Sequence, residues 1–313
     1  MNLNAIITSY IAQQRSLGKL YRSEAFTLAA FGKSAGDIPV RDIRSDVILH
    51  FINRVGANHE TRSKKYRVLA GLFRFAVTRH HLRASPMPKC PRARVCSSYV
   101  PYIYSKGELK RLFGAVPAAV ADPYHAIDAD TLRAFLLLLY GAGLRRGEAM
   151  RLKIGDVDLS QALIYVRGTK FFKTRIVPLS DSLVSVMRTF MSRPGEHYSA
   201  GRESLLFSNR DGTALRTTTL GVTFRRLCAI AGIHRDDGSH MQPRMHDLRH
   251  SAAVHRVAEW YRCGADLNDL LPKLATYLGH AGLSGTQRYL TMTHELLTEA
   301  SARFEAFVGG RHG

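Results

Sequence analysis

Six side chains in the C-terminal half of the chain could act together on a phosphodiester. They comprise two guanidiniums, an ammonium, two imidazoles and a phenol, on Arg145, Lys170, His246, Arg249, His280 and Tyr289. The set includes neither a pair of carboxylates nor a metal-binding cluster. Guanidiniums match the oxygens of a phosphate, and a phenol can attack phosphorus once its proton is removed. The set therefore indicates binding of a phosphodiester and attack by a tyrosine.

Each basic motif also has an ordinary explanation when it is taken alone. Arg145 lies at a helix start loosened by Gly143 and Gly147, where N–H groups and a guanidinium can converge on an anion. Lys170 lies on a predicted hairpin turn, from which a mobile proton donor could reach a cleft formed elsewhere. An arginine in such a turn is nevertheless more often structural, and a turn lysine is more often solvated.

The segment from His246 to His250 carries a sharper pattern. At helical spacing, His246, Arg249 and His250 share one face. A zinc pair or simple helix packing could produce the same pattern. A zinc pair of the metalloprotease kind would have glutamate directly after the first histidine, whereas this chain has Asp247 and no obvious third ligand nearby. A metal site is therefore disfavoured, and no cofactor is expected.

The charge of the chain indicates a polyanionic partner. The net charge is +20 over 313 residues, and residues 1–100 hold 17 Lys and Arg against 5 Asp and Glu. No acidic residue falls between Thr61 and Gly107. Nucleic acid is favoured over a membrane because no lipidation motif or long apolar anchor accompanies the charge, although a basic face that only keeps the protein soluble is the alternative. Without paired cysteines or a secretory signal, the chain is expected to be cytoplasmic and nucleoid-associated.

Hydrophobic periodicity predicts the elements that must position these residues. The N-terminal part reads as four helices at 4–14, 23–31, about 45–52 and 59–81, the third capped by Ser45 or by residues 44–46. A basic, proline-containing linker follows at about 85–102. Beyond it, Ser105 and Glu108 form a capping box that starts a new domain. The predicted helices there are 132–140, 146–152, 183–191, 217–231, 246–260, 267–278 and 294–308, with strands at 163–167 and 175–179.

In combination, the motifs resemble the tyrosine recombinase family, which includes phage integrases and Xer proteins. The Gly-Leu-Arg box at 143–145, the hairpin lysine, the His-x-x-Arg-His box, the Leu-Gly-His box at 278–280 and the tyrosine nine residues later follow the family's order. The resemblance implies a mainly α fold with a small antiparallel β-sheet. It comprises a helical SAM-like core-binding domain over 1–95 and an α+β catalytic domain over 103–313.

The resemblance also assigns roles to the six residues. Arg145 and Arg249 would clamp the scissile phosphate, and Tyr289 would attack it to give a 3′-phosphotyrosyl bond. Lys170 would protonate the leaving 5′-oxygen, while His246 would help to remove the tyrosine proton and His280 would bind the phosphate. The remaining expectations are that Glu148, Asp247 and His250 orient these groups, and that DNA is contacted by Arg62, Lys64, Lys65, Arg67, Lys173 and Arg175.

The chain departs from the family at the lysine turn. The usual turn is Gly-Lys-Gly, whereas here Thr169 separates Gly168 from Lys170. Lys170 is preferred to Lys173 because it lies five residues before Arg175, as the family pattern requires.

The function that the resemblance implies is site-specific recombination of double-stranded DNA through a Holliday junction. The enzyme would act as a tetramer on two DNA sites, alone or with accessory recombinases, and would need neither a divalent ion nor ATP. A type IB topoisomerase-like strand transferase shares the chemistry but works as a monomer. A DNA-binding protein that has lost catalysis is the alternative from another class.

Overall fold

The computed structural model describes residues 1–54, 59–89, 100–168, 174–193, 201–238 and 241–279. Within these ranges the chain forms two compact units, one from residues 1–89 and one from residues 100–279. The predicted domain boundary at 95–103 falls partly outside the described residues and stays a prediction. No helix among the described residues is long and apolar enough to cross a membrane.

The N-terminal unit consists of helices, as predicted. They are α1 (Leu3–Ser16), α2 (Arg22–Ala35), α3 (Ser45–Asn53) and α4 (His59–Thr78), with a 3₁₀ turn at Val40–Asp42. Apolar residues at three-to-four spacing put one face of each helix into a common core. Leu28, Phe31, Ile48 and Phe73 are fully buried there. The rings of Phe31 and Phe73 meet edge to face, with centroids 6.2 Å apart.

Of the two predicted caps of α3, Ser45 is wrong, and the N-cap residue is Arg44, within the alternative range 44–46. The helix begins without a side-chain cap, because the Ser45 hydroxyl donates instead to the carbonyl of Pro86 at 2.6 Å. Tyr66 of α4 likewise donates its hydroxyl hydrogen to the carbonyl of Pro88 at 2.9 Å. The first residues of the predicted linker are thus fixed to the N-terminal unit by side chains of α3 and α4.

The C-terminal unit contains eight helices within its described residues. These are α5 (Lys106–Gly114), α6 (Val116–Ala119), α7 (Ala129–Gly141), α8 (Arg146–Ala149), α9 (Asp181–Met191), α10 (Thr217–Ile230), α11 (Asp247–Arg262) and α12 (Leu267–Leu278). The predicted capping box at the start of α5 is confirmed. Ser105 Oγ accepts from the Glu108 N–H, and the Glu108 carboxylate accepts from the Ser105 N–H.

A small antiparallel sheet completes the unit and confirms the predicted fold class. Its order is β1 (Val157–Asp158), β2 (Leu163–Val166) and β3 (Arg175–Pro178). The pairing of Val166 with Arg175 places Arg175 at the hairpin end of the ladder. The short strand β1 was not predicted.

The helix predicted at 146–152 is shorter, since α8 ends at Ala149. Residues beyond it bond across the chain instead of continuing the helix. Leu206 N–H donates to the Leu152 carbonyl at 2.8 Å, and Ile154 N–H donates to the Ser204 carbonyl at 2.9 Å. A tertiary backbone pairing therefore overrides the local helical pattern.

Helix α7 forms the centre of the C-terminal core. Leu132, Phe135, Leu136 and Leu138 are fully buried on it, and it packs against α9 and α11. Helix α7 ends at Gly141, and a short loop then leads to the start of α8 at Arg146, close to α11.

Candidate active site

Arg145 is held at the start of α8. Its backbone N–H and its Nη1 donate to the two carboxylate oxygens of Glu148, each at 2.8 Å. Its Nη2 donates to the carbonyl of Gly279, just beyond α12, at 2.6 Å. The side chain is still 38% exposed. The guanidinium is thus fixed in orientation while part of it stays open to a ligand.

Glu148 joins Arg145 to Arg175 on β3. Nη1 and Nη2 of Arg175 donate to the two oxygens of Glu148, each at 2.9 Å. Burial by itself would raise the pKa of Glu148, but hydrogen bonds and charge from Arg175 and Arg145 outweigh it and lower the pKa to about 2. Glu148 is therefore ionised at neutral pH and orients both arginines, as its predicted role requires.

Arg249 lies in the first turn of α11 and is only 2% exposed. Its Nη1 donates to the carbonyl of Gly143, and its Nη2 donates to the carbonyl of Leu278. One guanidinium therefore holds together the loop before Arg145, the start of α11 and the end of α12.

Two glycines allow these segments to approach so closely. Gly143 has φ +59°, and a Cβ there would come within 2.8 Å of Leu278 Cδ2. Gly279 has φ +67°, and a Cβ there would come within 3.1 Å of Arg175 Cδ. Other residues would be strained in this backbone conformation and would push the neighbouring side chains away. The glycines thus bring backbone carbonyls within reach of both arginines.

His246 precedes the first residue of α11 and belongs to the same cluster. Burial lowers the pKa of His246 to about 4, helped by the positive charges of Arg249, Arg244 and Arg145. At neutral pH its imidazole is therefore uncharged and can accept a proton. The ring centroid lies 4.8 Å from that of His250, which the sequence placed on the same helical face.

Asp247 is fully buried beside His246. Its Oδ2 accepts from the backbone N–H of Arg244 at 2.9 Å, and its Oδ1 lies 3.6 Å from Arg244 Nη2. Asp247 therefore holds Arg244, which the sequence analysis did not single out, at the approach to His246.

Four predicted site residues lie outside the described part of the chain: Lys170, Lys173, His280 and Tyr289. Their roles stay predictions. His280 is nevertheless the next residue in the sequence after Gly279, whose carbonyl accepts from Arg145.

Arg175, predicted to contact DNA, has its guanidinium turned to protein acceptors. Besides the two bonds to Glu148, its Nε donates to the carbonyl of Tyr277 at 3.0 Å, and the side chain is 11% exposed. Its contact with DNA stays a prediction, and the contacts that it makes orient Glu148. Sequence alone did not reveal this pair because the two residues lie on different elements.

The basic residues of α4 differ in their surroundings. Arg62, Lys64 and Arg67 are exposed. Lys65 is partly buried: its Nζ donates to the Phe51 carbonyl at 2.8 Å and lies 4.5 Å from the Phe51 ring centroid. Burial lowers the pKa of Lys65, and the charges of Arg54 and Arg62 add to the effect. Lys65 is thus tied to α3. Its three neighbours are exposed, although the Lys64 ammonium also donates to Ser23 Oγ on α2.

The arrangement in the C-terminal unit suits stabilisation of negative charge. Two guanidiniums held by backbone carbonyls and a buried carboxylate are already oriented, so little rearrangement is needed when charge develops on phosphate oxygens. A neutral imidazole beside them can accept a proton. Among the described residues, no group of three or more His, Cys, Asp or Glu side chains could hold a metal ion.

Comparison with known proteins places the chain in a family. The model of the phage integrase family matches residues 107–295. A Sinorhizobium fredii protein with an integrase/recombinase name is 35% identical over 96% of each chain. The tyrosine recombinase XerA of Thermococcus kodakarensis is 31% identical over 84% of this chain and 82% of its own. The chain belongs to the phage integrase family.

Solved structures agree with this assignment at the level of the fold. A Tn1549 transposon integrase in complex with transposon right end DNA has a TM-score of 0.65 at 15% identity, covering 98% of this chain and all of that one. A lambda integrase dimer bound to a core site has a TM-score of 0.62 at 18% identity, covering 90% and 96%. Members of the family are tyrosine recombinases, enzymes that cleave and rejoin DNA, and this chain is one of them. The topoisomerase alternative is not favoured.

Proposed function

We propose that this recombinase cleaves one DNA strand with Tyr289 while Arg145 and Arg249 bind the non-bridging oxygens of the scissile phosphate. The observation that carries the proposal is the convergence of these two arginines, which are 104 positions apart, on the carbonyls of Gly279 and Leu278. Those carbonyls directly precede His280 in the sequence. The phosphate site would therefore form where the segment carrying His280 and Tyr289 begins.

The proposed cleavage step forms one bond to phosphorus, breaks another and transfers two protons. The Tyr289 phenolic oxygen forms a bond to phosphorus and passes its proton to His246, whose imidazole is uncharged at neutral pH and so has a nitrogen free of a proton. The bond from phosphorus to the 5′-oxygen breaks, and Lys170 gives that oxygen a proton. Rejoining reverses these transfers with a different 5′-hydroxyl. The phosphotyrosyl bond retains the energy of the broken link, so no nucleotide cofactor is consumed.

We further propose that the N-terminal unit is the core-binding domain and binds the DNA backbone through α4. Support comes from the exposed Arg62, Lys64 and Arg67 and from the absence of any acidic residue between Thr61 and Gly107.

Full recombination would require four protomers on two DNA sites and a Holliday junction, with accessory recombinases as further partners. The substrate would place the enzyme at the nucleoid.

The test is covalent capture. Wild-type protein is incubated with DNA selected from a random pool, and adducts are resolved on a denaturing gel and digested to identify the modified residue. The adduct should carry DNA on Tyr289, and Tyr289→Phe should bind the same DNA with unchanged affinity while forming no adduct. Adducts that persist in Tyr289→Phe would show that another residue is the nucleophile.

A further inference from the structure

A buried hydroxyl links the segment that follows the predicted linker to α11, the helix that begins after His246 and carries Arg249. The backbone N–H of Tyr104 donates to Ser251 Oγ at 2.8 Å, across 147 residues of sequence. The same Ser251 hydroxyl donates to the carbonyl of Asp247, one turn earlier on α11, at 2.8 Å. Tyr104 and Ser251 are both fully buried. The hydroxyl is therefore acceptor and donor at once, inside the protein.

A second bond from Tyr104 reaches the other side of His246. Its phenolic hydroxyl donates to the carbonyl of Arg244 at 3.2 Å. The Arg244 N–H in turn donates to Asp247 Oδ2 at 2.9 Å. Tyr104 thus contacts the backbone at residue 244 directly and at residue 247 through Ser251, and His246 lies between these two positions.

The chain just before Tyr104 is held to the same region by Arg235. The Arg235 guanidinium donates to the carbonyl of Val100 at 3.0 Å and to that of Pro101 at 3.4 Å. It also lies 5.7 Å from the centroid of the Tyr102 ring. Residues 100–104 are therefore bound along their length to the segment from 235 to 251. A displacement of residues 100–104 would be transmitted to the start of α11.

We propose that Ser251 and Tyr104 are positioning residues, which fix the start of α11, and with it His246 and Arg249, to the segment that follows the linker. Neither residue touches the substrate in this scheme. Their effect is exerted through the placement of the imidazole and the guanidinium. The inference rests on the proposed function, because it assumes that His246 and Arg249 take part in cleavage.

The chain offers a matched control for loss of a buried hydroxyl. Thr223 is 2% exposed, and its Oγ1 donates to the carbonyl four residues earlier, that of Thr219, at 2.9 Å on α10. Ser251 makes the same type of bond on α11. Ser251→Ala and Thr223→Val each remove one such hydroxyl, but only Ser251 bridges to Tyr104. Tyr104→Phe removes the bond to residue 244 while it retains the ring.

The experiment measures adduct formation in single turnovers for these three variants and the wild type, at saturating enzyme and across pH, with DNA affinity measured separately. Ser251→Ala and Tyr104→Phe should lower the rate by about tenfold to a hundredfold with little change in DNA affinity, since a small misplacement of reacting groups has effects of this size. Thr223→Val should lower the melting temperature about as much as Ser251→Ala does, and should leave the rate of adduct formation unchanged.

The dependence of the adduct rate on pH distinguishes misplacement of His246 from a general loss of stability, which would not shift the pH profile. In the wild type, His246 is kept neutral by burial and by surrounding positive charge. The charged and titratable groups around it are Arg145 and Arg146 at α8, Arg244, and Asp247, Arg249 and His250 on α11. If the start of α11 loosens and the imidazole becomes hydrated, its pKa rises toward 6.5. As the pH is lowered, protonation of His246 would then reduce the rate of the Ser251 and Tyr104 variants at a higher pH than in the wild type.

The outcomes separate the two proposals. If the wild type forms adducts but the Ser251 and Tyr104 variants match Thr223→Val in rate and pH profile, the positioning role is overturned and the proposed function stands. If Ser251→Ala does not fold, Tyr104→Phe decides the question by the same two measurements. Absence of any Tyr289 adduct in the wild type would instead overturn the proposed function itself.

Discussion

At the scale of single residues, Arg249 is the group whose chemistry is most constrained. Its two terminal nitrogens hold carbonyls on two different segments, those of Gly143 and Leu278. Only a planar, forked cation can hold both carbonyls in fixed directions, and the proposed contact with a phosphate would depend on the same fork. An ammonium at the same place would keep the charge and lose this geometry.

Arg249→Lys should therefore lower the rate of adduct formation by roughly two orders of magnitude or more. The measurement is single-turnover cleavage at saturating enzyme, so that weaker DNA binding does not contribute. Arg256→Lys is the matched control. Arg256 lies on the same helix, is 55% exposed and pairs with Glu259, and its replacement should leave the rate unchanged. Near-normal cleavage by Arg249→Lys would show that this residue is not on the phosphate.

Spacing in the sequence singled out Arg145, His246 and Arg249. In the structure the two arginines lie close enough to His246 for their charges to lower its pKa. The same spacing could not reveal what holds them. Arg175 pairs with Glu148 because β3 brings it to α8, and no spacing in the sequence indicates this pair. Its contact with DNA stays a prediction. The carbonyls of Gly143, Leu278 and Gly279 have no signature at all, since every residue has a carbonyl. Such contacts depend on tertiary approach and not on residue type.

At the scale of elements, strong periodicity predicted what the structure contains, and short segments were less well defined. Helices such as α7 and α11 carry enough apolar positions to fix their existence. The helix after Gly143 ended early because residues 152–154 pair with 204–206. Strand β1 has only two residues, too few to show an alternating pattern. The long helices form where local hydrophobic periodicity predicts them. The extent of the short elements is set instead by backbone pairing between segments distant in the sequence.

Helix α4 provides a prediction at this scale. Its exposed Lys64 and Arg67 should bind DNA phosphates and release counterions, so Lys64→Ala combined with Arg67→Ala should weaken binding to any DNA sequence. The slope of log affinity against log salt should become shallower by about two, one for each lost phosphate contact. Lys65 is left intact because its bond to the Phe51 carbonyl supports the packing of α4 on α3.

The control for α4 removes the same charge elsewhere in the N-terminal unit. Arg41 and Arg44 are each 81% exposed and lie near Asp42 and Asp46. Replacing both with alanine should leave the salt dependence close to that of the wild type. An equal loss of slope in both double variants would mean that net charge attracts DNA without a specific role for α4.

At the scale of the whole molecule, recombination requires more than one copy of the catalytic unit. A single strand-cleaving enzyme can break and reseal DNA, but exchange of strands between two sites requires protomers that are held together. The sequence after Tyr289 supplies a candidate for this contact. Residues 294–308 lie outside the described part of the chain. Their sequence has apolar residues that could form one face of a helix, namely Leu296, Leu297, Ala300, Ala302, Phe304 and Phe307.

Deletion of residues 294–313 should therefore separate DNA binding from assembly. The truncated protein retains α4, Arg145, Arg249 and Tyr289, so its affinity for a single DNA site should be close to that of the wild type. Assembly on two sites should be weaker, because an amphipathic segment that buries its apolar face against a neighbouring protomer would be lost. Binding can be measured by gel shift on one site, and assembly by analytical ultracentrifugation on paired sites. Recombination at wild-type rates by the truncated protein would contradict this assignment and place the contact between protomers elsewhere on the chain.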